Sequence, residues 1–195
     1  MRIFSEGAEA KLYSVRIYGH DALVKTRLQK KYRVRELDVS LRKNRTRREA
    51  RVMQRLSSAG IGSPKVIAVG AFSICMEKLN GRPLKDIHAA SSVYEKAGTL
   101  LAKMHMNDVV HGDFTPANML VYKGVPQVID FGLSEISKEL EGKAIDLLLM
   151  KRAIGKREYA AFEKGYRRAL PQAKEVLSKL AEIELRGRYQ IRTLA

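Results

Sequence analysis

The stretch HGDFTPANMLVYKGVPQVIDFG, residues 111–132, decides how this chain folds. It places Asp113 in a loop, Asn118 five positions later, and Asp130 after two short apolar runs that a Lys-Gly turn separates. Such runs predict a β-hairpin, which would bring Asn118 and Asp130 together. Amide and carboxylate oxygens are ligands that Mg²⁺ prefers, and Asp113 would remain free to orient or deprotonate an attacking hydroxyl or water. The spacing therefore predicts a site for magnesium-dependent phosphotransfer from a nucleotide. His111 beside it is expected to be structural, packed beneath the loop.

The N-terminal third contains residues that could hold the phosphates of a nucleotide. Lys25 lies within an apolar strand, residues 22–26, where a lysine needs an anionic partner. That partner could be the phosphates together with Glu49, which lies in a basic stretch predicted to be helical from about residue 44 to residue 58. A small-residue turn precedes the next strand and could approach phosphate oxygens closely through its backbone; its residues are Gly7, Ala8, Glu9 and Ala10.

These motifs resemble the protein-kinase-like superfamily. Within it, the chain is most similar to the small atypical kinases of the PRPK or BUD type, which belong to the KEOPS complex. The resemblance covers essentially the whole chain. The segments that carry it are SEGAEA, VKTRLQKKYR, LRKNRTRREARVM, HGDFTPANML, VIDFGLS, EGKAIDLLLMKRA and RGRYQIR.

The resemblance implies an α+β fold: a compact, bilobal, kinase-like domain whose lobes share a cleft. Residues 1–80 would form a strand-rich N-terminal lobe with a nucleotide-binding sheet and one helix. Residues 81–195 would form a reduced helical C-terminal lobe with the catalytic loop, the metal site and a basic tail. The cofactors implied are ATP and Mg²⁺.

The resemblance also assigns roles to individual residues. Lys25, paired with Glu49, would contact the α- and β-phosphates, and Asp113 would occupy the catalytic position. Asn118 and Asp130 would hold magnesium. A hinge would offer backbone groups to adenine after an apolar strand at residues 72–75, and its residues are Met76, Glu77 and Lys78. Asp146 matches a helix residue that supports the catalytic loop.

The chain departs from an ordinary protein kinase in two ways. Only residues 133–145 lie between Gly132 and Asp146, and no Ala-Pro-Glu signature occurs there. Gly112 stands where an arginine normally precedes the catalytic aspartate and pairs with a phosphate on the activation loop. We therefore expect no full activation segment, no regulation by phosphorylation of that loop, and ATP hydrolysis rather than rapid peptide phosphorylation.

The C-terminal half is predicted to be mostly helical. Residues 92–105 open with a Ser-x-x-Glu capping box at Ser92 and Glu95 and place apolar residues on one face. Three further helices are predicted at residues 143–154, 157–170 and 171–186.

The net charge of +16 is concentrated in three clusters. Basic patches attract phosphate backbones, so the charge favours a nucleic acid as partner over a merely solvated surface. The clusters are Lys30, Lys31, Arg33 and Arg35; Arg42, Lys43, Arg45, Arg47, Arg48 and Arg51; and Arg186, Arg188 and Arg192.

The family implies a function and a set of partners. The chain would be an ATP- and magnesium-dependent serine/threonine kinase of atypical type, acting mainly as an ATPase. It would support threonylcarbamoylation of the adenosine next to the anticodon in transfer RNA. The partners would be a metal-binding threonylcarbamoyl-transferase subunit, a small regulatory subunit on the N-terminal lobe, and transfer RNA bound through the basic patches and the C-terminal tail.

Three alternatives remain. One is a RIO-like serine/threonine protein kinase of ribosome assembly, another is a small-molecule phosphotransferase, and the third is a scaffold that merely binds nucleotide. The sequence lacks a long apolar segment and a secretory signal, so no membrane association is expected and the cytoplasm is the expected location.

Overall fold

The computed structural model describes the backbone of residues 2–192 and the side chains of residues 2–186. The chain divides into two compact units. Unit 1 comprises residues 1–80 together with Asp130–Gly132, and unit 2 comprises residues 81–129 and 133–195.

Unit 1 is built on a five-stranded antiparallel sheet and one long helix. The strands are β1 (Arg2–Glu6), β2 (Ala10–Ile17), β3 (His20–Arg27), β4 (Val66–Val69) and β5 (Ser73–Glu77), in the order β1-β2-β3-β5-β4. The helix α1 (Arg35–Ser58) packs against the sheet through an apolar side that includes Val52, Met53 and Leu56. Since β3 is a central strand, Lys25 is placed inside the sheet rather than at its edge.

The β2–β3 hairpin turns at Tyr18 and Gly19. Tyr18 and Gly19 have positive φ angles of 49° and 82°, which is typical of a tight two-residue hairpin turn. His20 and Asp21 already belong to β3.

Unit 2 carries the predicted hairpin, formed by β8 (Met119–Tyr122) and β9 (Val125–Val128). Lys123 and Gly124 turn with φ angles of 48° and 72°, as the Lys-Gly pair predicts. A short strand, β6 (Arg82–Pro83), pairs with β8. A second small sheet joins β7 (Val109–Val110) to β10 (Glu135–Ile136), and this pairing fixes the start of the loop that bears Asp113.

Four helices complete unit 2: α2 (Ser91–Met106), α3 (Leu140–Ala153), α4 (Lys156–Ala169) and α5 (Ala173–Arg192). Glycines at the crossing of α2 and α4 let these helices approach closely. A methyl group on Gly98 would lie 1.9 Å from the Phe162 carbonyl oxygen, and one on Gly165 would lie 1.9 Å from the Glu95 carbonyl oxygen. Both positions therefore require glycine.

Two of the local predictions were wrong. The capping box does not form, because α2 begins at Ser91 after Ala90 and has no side-chain cap. Glu95 instead forms an ion pair with Arg168 of α4, 2.8 Å away. Helix α1 begins at Arg35, nine residues before the predicted start, because long-range contacts stabilise a first section with little helical signal of its own.

No helix in residues 2–192 combines the length and the apolar character that crossing a bilayer requires.

Candidate nucleotide site

Lys25 is the centre of the candidate site in unit 1. Its Nζ donates to Glu49 Oε1 at 2.6 Å and to Asp130 Oδ1 at 2.8 Å. The Lys25 side chain is only 10% exposed, and burial by itself would lower its pKa. The carboxylates of Glu49 and Asp130 outweigh burial and raise the pKa of Lys25, so it stays charged. A buried, permanently charged ammonium with carboxylates on two sides is suited to contact phosphate oxygens.

Asp130 has the exposure and the backbone strain of a functional residue. Its φ angle is 61°, in the left-handed region that residues other than glycine rarely adopt. Its side chain is 56% exposed, whereas that of Glu49 is 3% exposed. Of the two acids on Lys25, Asp130 is therefore the one that can reach a solvated metal ion.

The small-residue turn differs from the expectation that its backbone is open to phosphates. Gly7 N–H already donates to the Ala10 carbonyl at 3.0 Å, and the Ala8 carbonyl accepts from Lys30 Nζ. A methyl group on Gly7 would meet only the Ala10 carbonyl at 3.6 Å, an ordinary contact, so glycine is not sterically required there. Glu9 is bound by Arg45, whose Nη1 lies 2.7 Å from both carboxylate oxygens.

The three proposed hinge residues lie at the end of β5. Met76 and Glu77 belong to the strand itself, and only Lys78 follows it. The N–H of Glu77 donates to the Lys65 carbonyl, and the N–H of Lys78 donates to the Asp21 carbonyl. These two donors are already used within unit 1, so adenine would have to bind the remaining backbone groups.

In unit 2, Asn118 and Asp113 are joined directly. Asn118 Nδ2 donates to the Asp113 carbonyl at 2.9 Å and to Asp113 Oδ2 at 2.8 Å. Both amide hydrogens are used in this way, which fixes the orientation of the amide. Asn118 Oδ1 accepts no hydrogen bond from the side chains and backbone of residues 2–186, so it is available to a cation.

Asp146 organises the backbone before Asp113. It is completely buried, and its carboxylate accepts from the N–H of His111 at 2.7 Å and from the N–H of Gly112 at 2.8 Å. Gly112 has a φ of 79°, and a methyl group on it would lie 2.7 Å from the Leu133 carbonyl oxygen. Glycine at this position, where kinases have arginine, is therefore required by the backbone.

His111 has the structural role that the sequence predicts. It is fully buried, and its Nδ1 accepts from the Asp113 N–H at 3.2 Å. Nε2 lies 3.3 Å from the Ile129 carbonyl oxygen and, as the protonated nitrogen of this tautomer, donates to it. The ring thus links the loop of Asp113 to the end of the β8–β9 hairpin.

His105 supports Asp146 from the other side. Its Nε2 lies 3.2 Å from Asp146 Oδ2 and its Nδ1 lies 2.7 Å from the Tyr166 hydroxyl. Burial lowers the pKa of His105 below its ordinary 6.5, although Asp146 opposes this. As the pH falls, His105 is protonated in the unfolded chain at a higher pH than in the folded chain. Protonation of His105 therefore favours the unfolded state, and the stability of the fold decreases below pH 6.5.

No group of three His, Cys, Asp or Glu side chains able to hold a metal ion exists in the part of the chain that the structure describes. This does not conflict with magnesium, which usually takes one or two protein ligands and completes its shell with water and phosphate oxygens.

The sequence analysis did not identify Arg27 as a second partner of Glu49. Arg27 Nη2 lies 2.5 Å from Glu49 Oε2, so Glu49 binds two cations at once. The available signal was the strand period of two, which puts Arg27 on the same face of β3 as Lys25.

Comparisons with known proteins identify the family of this chain. Residues 6–150 match the model of the RIO domain. The chain is 36% identical to the KEOPS complex subunit Bud32 of Pyrococcus abyssi, over 99% of this chain and 98% of that protein. It is 34% identical to a probable bifunctional tRNA threonylcarbamoyladenosine biosynthesis protein of Methanothermobacter thermautotrophicus, over 96% of this chain but only 36% of that protein.

Among solved structures, the Rio2 kinase of Chaetomium thermophilum in complex with ADP and Mg²⁺ has a TM-score of 0.69, with 18% identity. It covers 97% of this chain and 70% of the Rio2 chain, and at that identity it establishes the kinase-like fold alone. The fold, the matched model and the identity over nearly the full length together show that this chain belongs to the RIO-domain family of kinase-like proteins and, within it, to the Bud32 group.

Proposed function

We propose that this protein is an ATP- and magnesium-dependent enzyme that acts mainly as an ATPase, with weak serine/threonine kinase activity. The observation that carries the proposal is the position of Lys25 Nζ, 2.6 Å from Glu49 and 2.8 Å from Asp130. In protein kinases a Lys–Glu ion pair and a metal-binding aspartate must both be in place for phosphoryl transfer. The kinase-like fold and the family support the use of ATP.

Each of the two predicted magnesium ligands carries an oxygen donor of the kind that magnesium takes. Asp130 offers an exposed carboxylate, and Asn118 offers an amide oxygen whose orientation Asp113 fixes. When bound, magnesium would neutralise charge on the phosphates. Lys25 would contact phosphate oxygens, since its ammonium stays charged although buried.

Asp113 would orient the acceptor hydroxyl or water and accept its proton. Its Oδ2 receives a hydrogen bond from Asn118, and its main chain is positioned by His111 and, through Gly112, by Asp146. A carboxylate whose loop is fixed before the reaction avoids the cost of reorganisation during proton transfer.

We further propose that the enzyme acts within a KEOPS-type assembly that modifies transfer RNA in the cytoplasm. The names of its relatives support this proposal, as do the basic clusters. The partners would be a threonylcarbamoyl-transferase subunit, a small regulatory subunit on the N-terminal unit, and transfer RNA. In the bifunctional relative this chain matches about a third of the length, so the remaining activity would come from a separate subunit.

ATP turnover by the purified protein tests the proposed activity. We expect slow hydrolysis that stops when EDTA removes magnesium and rises when transfer RNA and the transferase subunit are added. Phosphorylation of unrelated peptides should be inefficient. If the rate of ATP turnover is unchanged by transfer RNA and the transferase subunit, and unrelated peptides are phosphorylated efficiently, the proposal is contradicted and a RIO-like protein kinase is favoured.

The basic cluster at residues 42–51, a candidate surface for transfer RNA, separates into two groups in the structure. Arg42 and Arg45 turn inward: Arg42 bonds Asp38 at 2.7 Å and its guanidinium lies 4.0 Å from the Phe72 ring centroid, while Arg45 binds Glu9. The other cations are exposed along α1 and have no carboxylate partner among residues 2–186; they are Lys43, Arg47, Arg48 and Arg51.

These outward cations, which we call the α1 ridge, form the best-defined candidate for a phosphate-binding surface. Lys43, Arg47 and Arg51 recur every fourth residue, which spaces them about 6 Å apart on one face of the helix. Like charges at this spacing destabilise a helix slightly, so a polyanion would relieve their repulsion. In the other clusters, Lys30 and Arg33 have structural partners, and Arg186 lies near Glu141 and Glu182. The side chains of Arg188 and Arg192 lie outside the described residues.

Replacing Lys43, Arg47 and Arg51 with glutamine should weaken transfer RNA binding and its dependence on salt. Each lost phosphate contact lowers the magnitude of the slope of log K against log salt by about 0.7–0.9, so the triple variant should lower it by about 2–3. Fluorescence anisotropy from low to moderate salt measures this slope. The matched control neutralises Lys164, Arg167 and Arg168 on α4, exposed cations that pair with Glu95 or Glu163. An equal drop in both variants would show that the attraction is diffuse.

A further inference from the structure

Six side chains of alternating charge form a continuous series in unit 1, which we call the ionic chain. Arg45 binds Glu9 at 2.7 Å, and Glu9 lies 3.8 Å from Arg27. Glu49 then joins Arg27 at 2.5 Å to Lys25 at 2.6 Å, and Lys25 reaches Asp130 at 2.8 Å. The chain holds three cations and three anions: Arg45, Glu9, Arg27, Glu49, Lys25 and Asp130.

Arg27 is the link in the ionic chain that the Lys–Glu pair of kinases does not require. Its side chain is 5% exposed and that of Glu49 is 3% exposed, so the two charges are held away from water. Each oxygen of Glu49 has its own cation, because Oε1 faces Lys25 and Oε2 faces Arg27. If the carboxylate rotated away from Lys25, it would also leave the buried Arg27 with only the more distant Glu9, 3.8 Å away, which is costly.

The ionic chain also connects α1 to the turn between β1 and β2. Arg45 lies one helical turn before Glu49 on α1, and it binds Glu9 of the turn. The segment after β3 adds one main-chain and one side-chain contact: Leu28 N–H donates to the Glu9 carbonyl, and Lys30 Nζ donates to the Ala8 carbonyl. The position of α1 and that of the turn are thus set by the same group of contacts.

Kinases usually control the Lys–Glu pair through an activation loop and its phosphate. Here residues 133–145 are too few for such a segment, and Gly112 removes the arginine that would bind the phosphate. We propose that Arg27 is a positioning residue that, with Glu9 and Arg45, keeps α1 and Glu49 permanently in place on Lys25. The inference rests on the proposed function for its consequence, since it makes the enzyme independent of loop phosphorylation.

Kinetics of Arg27→Met test the proposal. Methionine has a similar length but no charge, so Glu49 should lose its second partner and Lys25 should be less well held on phosphate. We expect kcat/KM for ATP to fall on the order of 10- to 100-fold, with much of the loss in KM. Arg27→Lys, which restores one cation, should recover most of the loss. Arg16→Met is the matched control, because Arg16 is an exposed arginine at the far end of β2.

Hydrogen exchange provides a readout that does not need ATP. In Arg27→Met, amides of α1 around residues 45–49 and of the turn at residues 7–9 should exchange faster, and Arg16→Met should leave them unchanged. Glu9→Gln, which spares Arg27 and Glu49, should speed exchange in the same two segments. If Arg27→Met does not fold, Arg27→Lys and Glu9→Gln provide the test.

The outcomes separate the two hypotheses. If neither the wild type nor any variant hydrolyses ATP, but hydrogen exchange changes as expected, the proposed function is contradicted and the positioning role of Arg27 is supported. If the wild type hydrolyses ATP and Arg27→Met matches Arg16→Met in both kinetics and exchange, the positioning role of Arg27 is overturned.

Discussion

Asp130→Asn is expected to reduce ATP hydrolysis on the order of 100- to 1,000-fold while the protein remains folded. The substitution removes the carboxylate that we assign to magnesium and one of the two anions on Lys25. Asparagine has nearly the same shape and tolerates the left-handed φ of 61° at this position better than alanine does. The lost charge, rather than a backbone change, would then be responsible for the lost activity.

Turnover assays at saturating ATP and magnesium, with thermal unfolding in parallel, measure this effect. Asp21→Asn is a suitable control, because Asp21 is an exposed acid of the same unit whose closest cation is Arg16 at 3.8 Å. Binding of magnesium-free ATP should be similar in Asp130→Asn and the wild type, since Lys25 keeps Glu49. An Asp130→Asn protein that hydrolyses ATP at the wild-type rate would show that the metal site lies elsewhere.

The sequence predicts those turns, loops and helices that are determined by residues close together in the chain. The Lys123-Gly124 turn between two apolar runs is enough to give the β8–β9 hairpin, and the motif around Asp113 specifies a loop with an amide five residues later. Most helix positions in the second half follow from apolar periodicity, with ends that shift by a few residues. The largest of these shifts are an extended C-terminus of α5 and an earlier start of α3.

What the sequence did not predict depends on contacts between distant residues. The early start of α1 depends on Arg42, whose guanidinium lies 4.0 Å from the Phe72 ring centroid, and on Arg45, which binds Glu9. The ionic chain requires β3 and α1 to be placed side by side, and no local pattern encodes the distance between Arg27 and Glu49. Basic residues that look equivalent in sequence, such as Arg45 and Arg47, therefore have different roles.

The second large effect is expected from Asp146→Ala, which should destabilise unit 2 and inactivate the enzyme. The carboxylate of Asp146 accepts from two main-chain N–H groups, the buried one of His111 and the partly buried one of Gly112, and from His105. Alanine leaves these three donors without a partner in a site that is 0% exposed. Each buried unpaired group costs about 1–3 kcal/mol, and allowing for relaxation we expect a loss of about 3–5 kcal/mol in the free energy of unfolding.

Urea denaturation of Asp146→Ala measures this loss, and Glu141→Ala on the same helix is the control. Glu141 is half exposed and reaches Lys179 and Arg186 only at 3.9 and 3.6 Å, so its removal should cost less than about 1 kcal/mol. Asp146→Asn discriminates further. It keeps one acceptor oxygen but turns an amide N–H₂ toward a main-chain donor, so it should recover only part of the stability. Equal midpoints for Asp146→Ala and Glu141→Ala would mean that the loop before Asp113 is held by other contacts.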